Sequence, residues 1–380
     1  KKYHLPVIAM VLNISETELM RRDMQRAFPR ARNRIKQHYQ HFKNTLRFIK
    51  KKPYRRVYLL GEDELQVVNV SRLENPLYID VGIGIDFIGD IHGCFDEFLE
   101  MLNKLGYKEN DEGYYIHPEG RKILSLGDVL SRGPRSIQTL QFFQKHVAAG
   151  LAYMIDSNHG WKIARWLDGK NVKMAHGDEN VAAEFEEYER NNGSEAVEKL
   201  KEQIMELLLQ AKSHYIIRKN GVNAVVVVHA GIKDHYIGKQ SPRISDFCRY
   251  GDSEGLDEKG KPIRKDWSVS HKSSELILWG HDPKPQPLLV NNTLNIDQGV
   301  VFGGSLTAYR YPEKQFVSVK AKQDYANVPD NPLKEWELKR LAAPNIMKFL
   351  EGYSVLTEQY GEIMIYDDGV KPAIDDLSHY

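Results

Sequence analysis

Short apolar runs, each closed by a polar loop that carries glycine, set the rhythm of this chain. Residues 5–12 and 56–60 read as strands on either side of a basic helical region over 15–52, in which Ser15 and Glu18 have the spacing of a capping box. From residue 85 the alternation tightens. Runs rich in branched and aromatic residues predict strands at 85–88, 123–126, 152–155, 172–175, 224–228, 276–278 and 293–296, with helices over 97–105 and 137–149 between them. Such alternation predicts an α/β domain. An acidic helical stretch over 182–212, with Leu200, Ile204 and Leu208 at four-residue steps, interrupts the pattern and reads as a cap over a cleft. Strands stop after Val319, Pro and Asp punctuate a linker at 328–332, and a helix-rich piece occupies 334–380. The pattern divides the chain into segments 1–80, 81–322 and 323–380.

Composition narrows the class without naming a partner. Of the 380 residues 41% are hydrophobic and 28% charged, with a net charge of +1, which is the profile of a globular protein and excludes a disordered or fibrous one. The charge is uneven. Up to Arg56 the chain has sixteen Lys or Arg against three acids, with Tyr39, Phe42, Phe48 and Tyr54 interleaved. Such a segment is either a surface for a phosphate backbone or a solvated helix face. Two cysteines, Cys94 and Cys248, are too few for a disulfide framework and lack zinc-type spacing, which favours a reducing, cytoplasmic setting. No apolar run approaches the roughly 20 residues that cross a bilayer, so no membrane is expected. Because the chain opens at Lys1-Lys2 already inside a strand pattern, we expect a piece of a longer protein.

The chemistry sits in five loops. Gly89-Asp90-Ile91-His92-Gly93, Gly127-Asp128-Val129-Leu130-Ser131-Arg132-Gly133, Ser157-Asn158-His159-Gly160, Val228-His229-Ala230-Gly231 and Trp279-Gly280-His281-Asp282 each end a predicted strand and place Asp, Asn or His beside Gly. Side chains at strand ends stand on rigid supports and can meet from distant positions. One such loop is an ordinary turn, but five in order point to a metal cluster. Mixed carboxylate, imidazole and amide donors suit manganese, iron, nickel or zinc, whereas magnesium and calcium prefer all-oxygen shells. Two such ions about 3.5–4 Å apart bind phosphate oxygens, acidify a shared water and offset the charge of in-line displacement. They need a bridging carboxylate, and Asp128 is the natural one. Asp297, in Asn295-Ile296-Asp297-Gln298-Gly299, is expected to bond a ligand imidazole from behind.

The order and spacing of these loops resemble the calcineurin-like metallophosphatase superfamily, in its phosphoprotein-phosphatase branch, whose pattern runs GDxHG, GDxxDRG, GNHE or GNHD, HGG and GH. The resemblance implies a β-sandwich flanked by helices. It implies that Asp90, His92 and Asp128 hold one divalent ion, with manganese first among the candidates, and that Asp128, Asn158, His229 and His281 hold the other. It also implies that Arg132 grips phosphate with two bonds and that His159 is the general acid. Two departures stand out. Ser131 occupies the place of the Asp that orients the catalytic His, and Ser157 and Gly160 replace the Gly and the acid of GNHE. Loss of the orienting carboxylate is expected to cost rate, while the retained ligands favour an active enzyme over a metal site kept only for folding.

Segments 117–122, 249–252, 295–299 and 301–312 look like two bacterial groups of that branch, the phosphatase module of RNA-repair polynucleotide kinase-phosphatases and the bis(5′-nucleosyl)-tetraphosphatases. The basic segment through Arg55-Arg56-Val57-Tyr58-Leu59-Leu60 resembles the C-terminal half of a P-loop kinase module, with Arg21, Arg22 or Arg26 as lid arginines, although no P-loop is present. From Pro344 the tail falls where a ligase-like module begins, but Asp367-Asp368-Gly369 lacks the nucleophilic Lys. The flanks therefore imply removal of 2′-, 3′- or 2′,3′-cyclic phosphate from RNA or DNA ends, with an RNA-repair methyltransferase or ligase as partner. Alternatives are a tetraphosphatase, a protein serine/threonine phosphatase, or a degenerate metal-binding module that holds nucleic-acid ends. Arg249, Arg264 and Arg310 are each either a second phosphate contact or an ion-paired surface residue.

Overall fold

The computed structural model describes residues 8–49, 54, 56–67, 75–256 and 262–334. Residues 5–7 of the first predicted strand and the ligase-like tail with Asp367-Asp368-Gly369 lie outside the described residues. The chain falls into two compact units, one within 1–75 and 239–241 and the other from 76 onward. Among the described residues no helix is long and apolar enough to cross a membrane.

In the N-terminal unit, strands Ile8–Leu12 and Arg56–Leu60 pair in parallel, with Ile8 against Arg56 and Leu12 against Leu60. Parallel neighbours need a crossover, and helices Glu16–Met24 and Arg32–Phe48 supply it. Only half of the capping box forms. Ser15 accepts from the Glu18 amide at 3.2 Å, but the Glu18 carboxylate turns away to Arg21 and Arg22, and Glu62 takes the Ser15 amide at 2.8 Å. The helix Arg32–Phe48 buries none of its residues. Kinship of this unit with a kinase rests on the resemblance alone.

The second unit is a sandwich of two six-stranded sheets. Strands Leu288–Val290, Thr293–Asn295, Leu276–Trp279, Val222–Val228, His214–Lys219 and Tyr78–Asp80 form one in that order. In the other, Asp297–Gln298, Ser305–Tyr311, Ile85–Ile88, Lys122–Ser125 and Ala152–Met154 lie side by side, and Gln315–Lys320 pairs with Ser305–Tyr311. Alternate side chains of each central strand serve different layers. Phe87, Leu124, Val225 and Val227 fill the space between the sheets, whereas Ile88 and Ile123 pack outward under helices and Val226 and Val228 pack under helix Pro242–Tyr250. Burial on both faces is why these strands read as mostly apolar runs.

Two expectations change. Residues 172–175 form no strand but lead into a turn in which His176 and Gly177 take φ of +64° and +86°. The stretch 182–212 is no cap: it is two helices, Asp178–Asn192 and Ser194–Gln210, broken at Gly193, and Val197, Leu200, Ile204 and Leu208 pack into the helical layer outside the second sheet.

The parallel triplets are the feature that matters for function. Ile85–Ile88, Lys122–Ser125 and Ala152–Met154 run parallel in one sheet, and Val222–Val228, Leu276–Trp279 and Thr293–Asn295 in the other. All the candidate loops leave their C-terminal ends. At the opposite end of the second sheet, Asp86 is fully buried and accepts from Arg121 at 2.7 and 3.0 Å, from Arg310 at 3.0 Å and from Tyr107 at 3.0 Å. Arg310 is thus committed to the fold and removed from the list of phosphate contacts. Truncating Arg121 to Ala strips a buried carboxylate of its main partner, and urea unfolding is expected to show a loss of about 3–5 kcal/mol.

Candidate metal centre

The strand ends bring the predicted ligands together around one carboxylate. His92, Asp128 and His159 offer ligand atoms that all lie within 4.8 Å of one another, and so do Asp128, His229 and His281. Asp128 belongs to both sets, as a bridging ligand must. Asn158 joins the second set with its Oδ1 2.8 Å from His229 Nε2. Asp90 stands just outside both. One of its oxygens accepts the His281 amide at 3.0 Å, and the other, Oδ1, is buried with no hydrogen-bond partner.

The surroundings decide what this cluster can hold. His229 Nδ1 donates to the Leu126 carbonyl at 2.8 Å and His92 Nδ1 to that of Leu130 at 3.1 Å, so in each neutral ring the Nε2 lone pair faces the centre. Around His229 Nε2 stand Asn158 Oδ1 at 2.8 Å, His281 Nδ1 at 3.2 Å and Asp128 Oδ2 at 3.4 Å. That many acceptors aimed at one point repel unless a cation lies between them. Charge gives the same answer. Burial, reinforced by Asp297 and Asp128, pushes the Asp90 carboxyl well above the carboxylate range, and burial pushes Asp297 up to about 7. Burial also disfavours a charged His229, yet the Asp128 carboxylate holds it above the ordinary imidazole range. Burial also holds His92 and His281 below the ordinary imidazole range, which keeps them neutral donors, and the residues present fit divalent ions.

Holding these groups costs backbone energy. His92, Asp128, Arg132 and His281 have φ of +48°, +40°, +71° and +69°, a region that costs most residues roughly 1–2 kcal/mol. Gly280 is needed for space, since a Cβ there would fall 2.1 Å from Asp90 Oδ1. Ser157 starts helix Asn158–Leu167 by accepting the Gly160 amide at 3.2 Å, which sets Asn158 and His159 in its first turn. The His159 amide then reaches Asp128 Oδ1 at 3.3 Å. The two departures in this loop therefore have local work: Ser157 is a cap, and a Cβ on Gly160 would crowd its hydroxyl at 3.1 Å.

Arg132 faces the cluster with a buried Nε that has no partner, and its guanidinium lies 5.3 Å over the Phe302 ring. A guanidinium held this way is prepared for an anion. The expected gap behind His159 is not there. Its Nδ1 lies 2.6 Å from Asp178 Oδ1, which also accepts from Ser131 Oγ at 2.8 Å, while Lys162 holds the other oxygen. The sequence hides this residue, because an Asp opening an acidic helix reads as ordinary charge at a helix N-terminus. Asp297 is a second correction. It accepts the Gly299 amide at 3.0 Å, and the backing of His229 and His92 comes from the carbonyls of Leu126 and Leu130 instead. Arg249 is buried against Asp156 at 2.6 Å and over Trp161 at 4.1 Å, which makes it structural. Arg264 is half exposed and 3.2 Å from Asp282, next to His281. Cys94 is packed, at the start of helix Phe95–Leu105.

A cluster that lacks positive charge should be stabilised by metal. Manganese at 100 times its dissociation constant is expected to add about 2.7 kcal/mol, read as a rise in melting temperature that a chelator reverses. The rise should vanish in Asp128→Asn and His229→Ala.

Residues 83–288 match the family described as calcineurin-like phosphoesterase. A bis(5′-nucleosyl)-tetraphosphatase (asymmetrical) of Oceanobacillus iheyensis is 43% identical over 242 residues, covering 63% of this chain and 94% of that protein. Proteins of the same name from Geobacillus and Bacillus subtilis are 41% and 40% identical over 242 and 241 residues, each covering 63% of this chain and 96% of theirs. The family match runs from before the Asp90 loop to beyond the His281 loop, the same span whose side chains meet around Asp128, and this chain belongs to the calcineurin-like phosphoesterase family, a family of divalent-metal enzymes.

Proposed function

We propose that this chain hydrolyses dinucleoside polyphosphates, cleaving a bis(5′-nucleosyl) tetraphosphate asymmetrically into a nucleoside triphosphate and a nucleoside monophosphate. The observation that carries this reading is the 43% identity over nearly the whole of a protein with that name. Metal-dependent phosphoester hydrolysis is the family's chemistry; the choice of substrate is the proposal.

In this reading Asp90, His92 and Asp128 hold one ion, and Asp128, Asn158, His229 and His281 the other, with manganese, iron, nickel or zinc suited to the mixed donors and manganese first by the resemblance. Bound there, the ions supply Lewis acidity toward phosphate oxygens and lower the pKa of water. The chain does the rest. Arg132 binds two oxygens of the phosphate under attack through the guanidinium that its surroundings leave unpaired. His159, buried and held at Nδ1, presents Nε2 to the departing oxygen and donates a proton to it. Water is excluded from His229 and His92 by full or near-full burial, which strengthens each of these interactions.

Action on RNA or DNA ends, with a repair methyltransferase or ligase as partner, is the second reading. Its support is the N-terminal unit, whose helix Arg32–Phe48 carries Arg32, Arg34, Lys36, Lys43 and Arg47 with no acid and nothing buried. With manganese present, diadenosine tetraphosphate is expected to give ATP and AMP in equal amounts, and Asp128→Ala should fall to background. Release of phosphate from a 3′-phosphorylated oligoribonucleotide, with the tetraphosphate untouched, would move the assignment to nucleic-acid ends.

A further inference from the structure

We propose that Asp178 is the positioning residue for His159, and that the turn at 176–180 aligns both groups that face the phosphate. The inference rests on the reading of His159 as general acid of this centre. Asp178 is wholly buried and His159 is 5% exposed, so the bond of 2.6 Å between them is shielded from water. An imidazole whose Nδ1–H is held by a carboxylate has its tautomer set and its Nε2 on the opposite side of the ring, and a ring nitrogen of His159 lies within 4.8 Å of ligand atoms of His92 and Asp128. Lys162 completes the mount. Its Nζ binds the second oxygen of Asp178 and also the Ala175 carbonyl at 3.1 Å, so the carboxylate cannot rotate away from the ring.

Ser131 and Asp178 form a matched pair. Ser131 Oγ donates to the same Asp178 oxygen, at 2.8 Å, that meets His159. A carboxylate at 131 would arrive at the same point, and two buried carboxylates there would repel each other. A hydroxyl at 131 avoids that conflict and adds a donor. The same turn also sets Arg132. Gly177 O accepts the Arg132 amide at 3.0 Å, and Asn180 Nδ2 donates to the Arg132 carbonyl at 3.0 Å. Gly177 has no substitute here, because a Cβ would fall 2.5 Å from Arg132 Cα. In the reaction, water adds to phosphorus and gives up one proton to solvent, the bond to the leaving oxygen breaks, and that oxygen takes the Nε2 proton of His159, which solvent then restores.

The test compares wild type, Asp178→Asn and the double variant Ser131→Asp/Asp178→Asn, saturated with manganese, on an alkyl phosphate ester and on 4-nitrophenyl phosphate. An alkoxide needs protonation as it leaves and nitrophenolate does not. Asp178→Asn should therefore lower kcat about 100-fold or more on the alkyl ester and less than about 10-fold on the aryl ester, with KM little changed. The double variant, which moves the carboxylate to the other side of the same point, should recover most of the loss. Equal losses on both esters, a shifted manganese dependence in Asp178→Asn, or no recovery in a double variant that melts like wild type would each overturn the proposal. If wild type cleaves neither ester, nor a dinucleoside polyphosphate, the phosphoesterase reading fails instead. Positioning is then judged by NMR alone: a strongly downfield Nδ1 proton of His159 present in wild type, lost in Asp178→Asn and regained in the double variant supports it, and its absence from wild type refutes it.

Discussion

The structure turns on a buried carboxylate that two sets of donors share. Asp128 stands early in the loop after the strand Lys122–Ser125, and its ligand atoms lie within 4.8 Å of those of His92 and His159 and of those of His229 and His281. Neither sheet supplies both sets. Loops after strands of the second sheet bring His92, Asp128 and His159, and loops after strands of the first bring His229 and His281. The centre therefore exists only when the two sheets pack, and the apolar layer of Phe87, Leu124, Val225 and Val227 is what sets the distance between its halves. Left-handed backbone at His92, Asp128, Arg132 and His281, together with three carboxylates kept from water, is energy that this layer has to offset.

How far the sequence discloses such a centre depends on the kind of signal. Strands at 85–88, 122–125 and 222–228, largely buried, read as mostly apolar runs, and the loops that follow them carry the ligands in recognisable order. Strands with polar or alternating composition do not. His214–Lys219 opens with His and Tyr and is separated from a long helix by three residues, and Gln315–Lys320 sets half-buried Val317 and buried Val319 among exposed positions, so neither stands out from its surroundings. Residues 172–175 have the composition of a strand but are spent on reaching the turn at His176 and Gly177. Tertiary demand overrides local preference there, beside the site.

The misreadings about chemistry have a common cause. A motif names a residue by its place in the chain, whereas the imidazole responds to a charge at a point in space. Position 131 carries Ser, and the carboxylate comes from a residue 47 positions later. Asp297 illustrates the reverse: it is buried among the ligands as expected, yet its hydrogen bond goes to the Gly299 amide, and main-chain carbonyls of Leu126 and Leu130 do the work assigned to it. Backbone acceptors leave no trace in a sequence, so partners of this kind are found only by folding the chain.

One strand shows how the fold separates carboxylates that hold it together from those that serve a ligand. Asp86 and Asp90 lie four residues apart, on Ile85–Ile88 and just beyond its end, and both are almost completely buried. Around Asp86 the protein supplies its own cations, Arg121 and Arg310, and a phenol from Tyr107, so nothing from outside is required. Around Asp90 it supplies two further carboxylates and leaves an oxygen without a partner. Charges of equal size and equal burial thus have opposite meanings, and the difference lies in whether the fold completes their coordination or withholds it. By that criterion Arg132, whose Nε is buried without a partner, belongs with Asp90, and Arg249 and Arg310, each closed by a carboxylate, belong with Asp86.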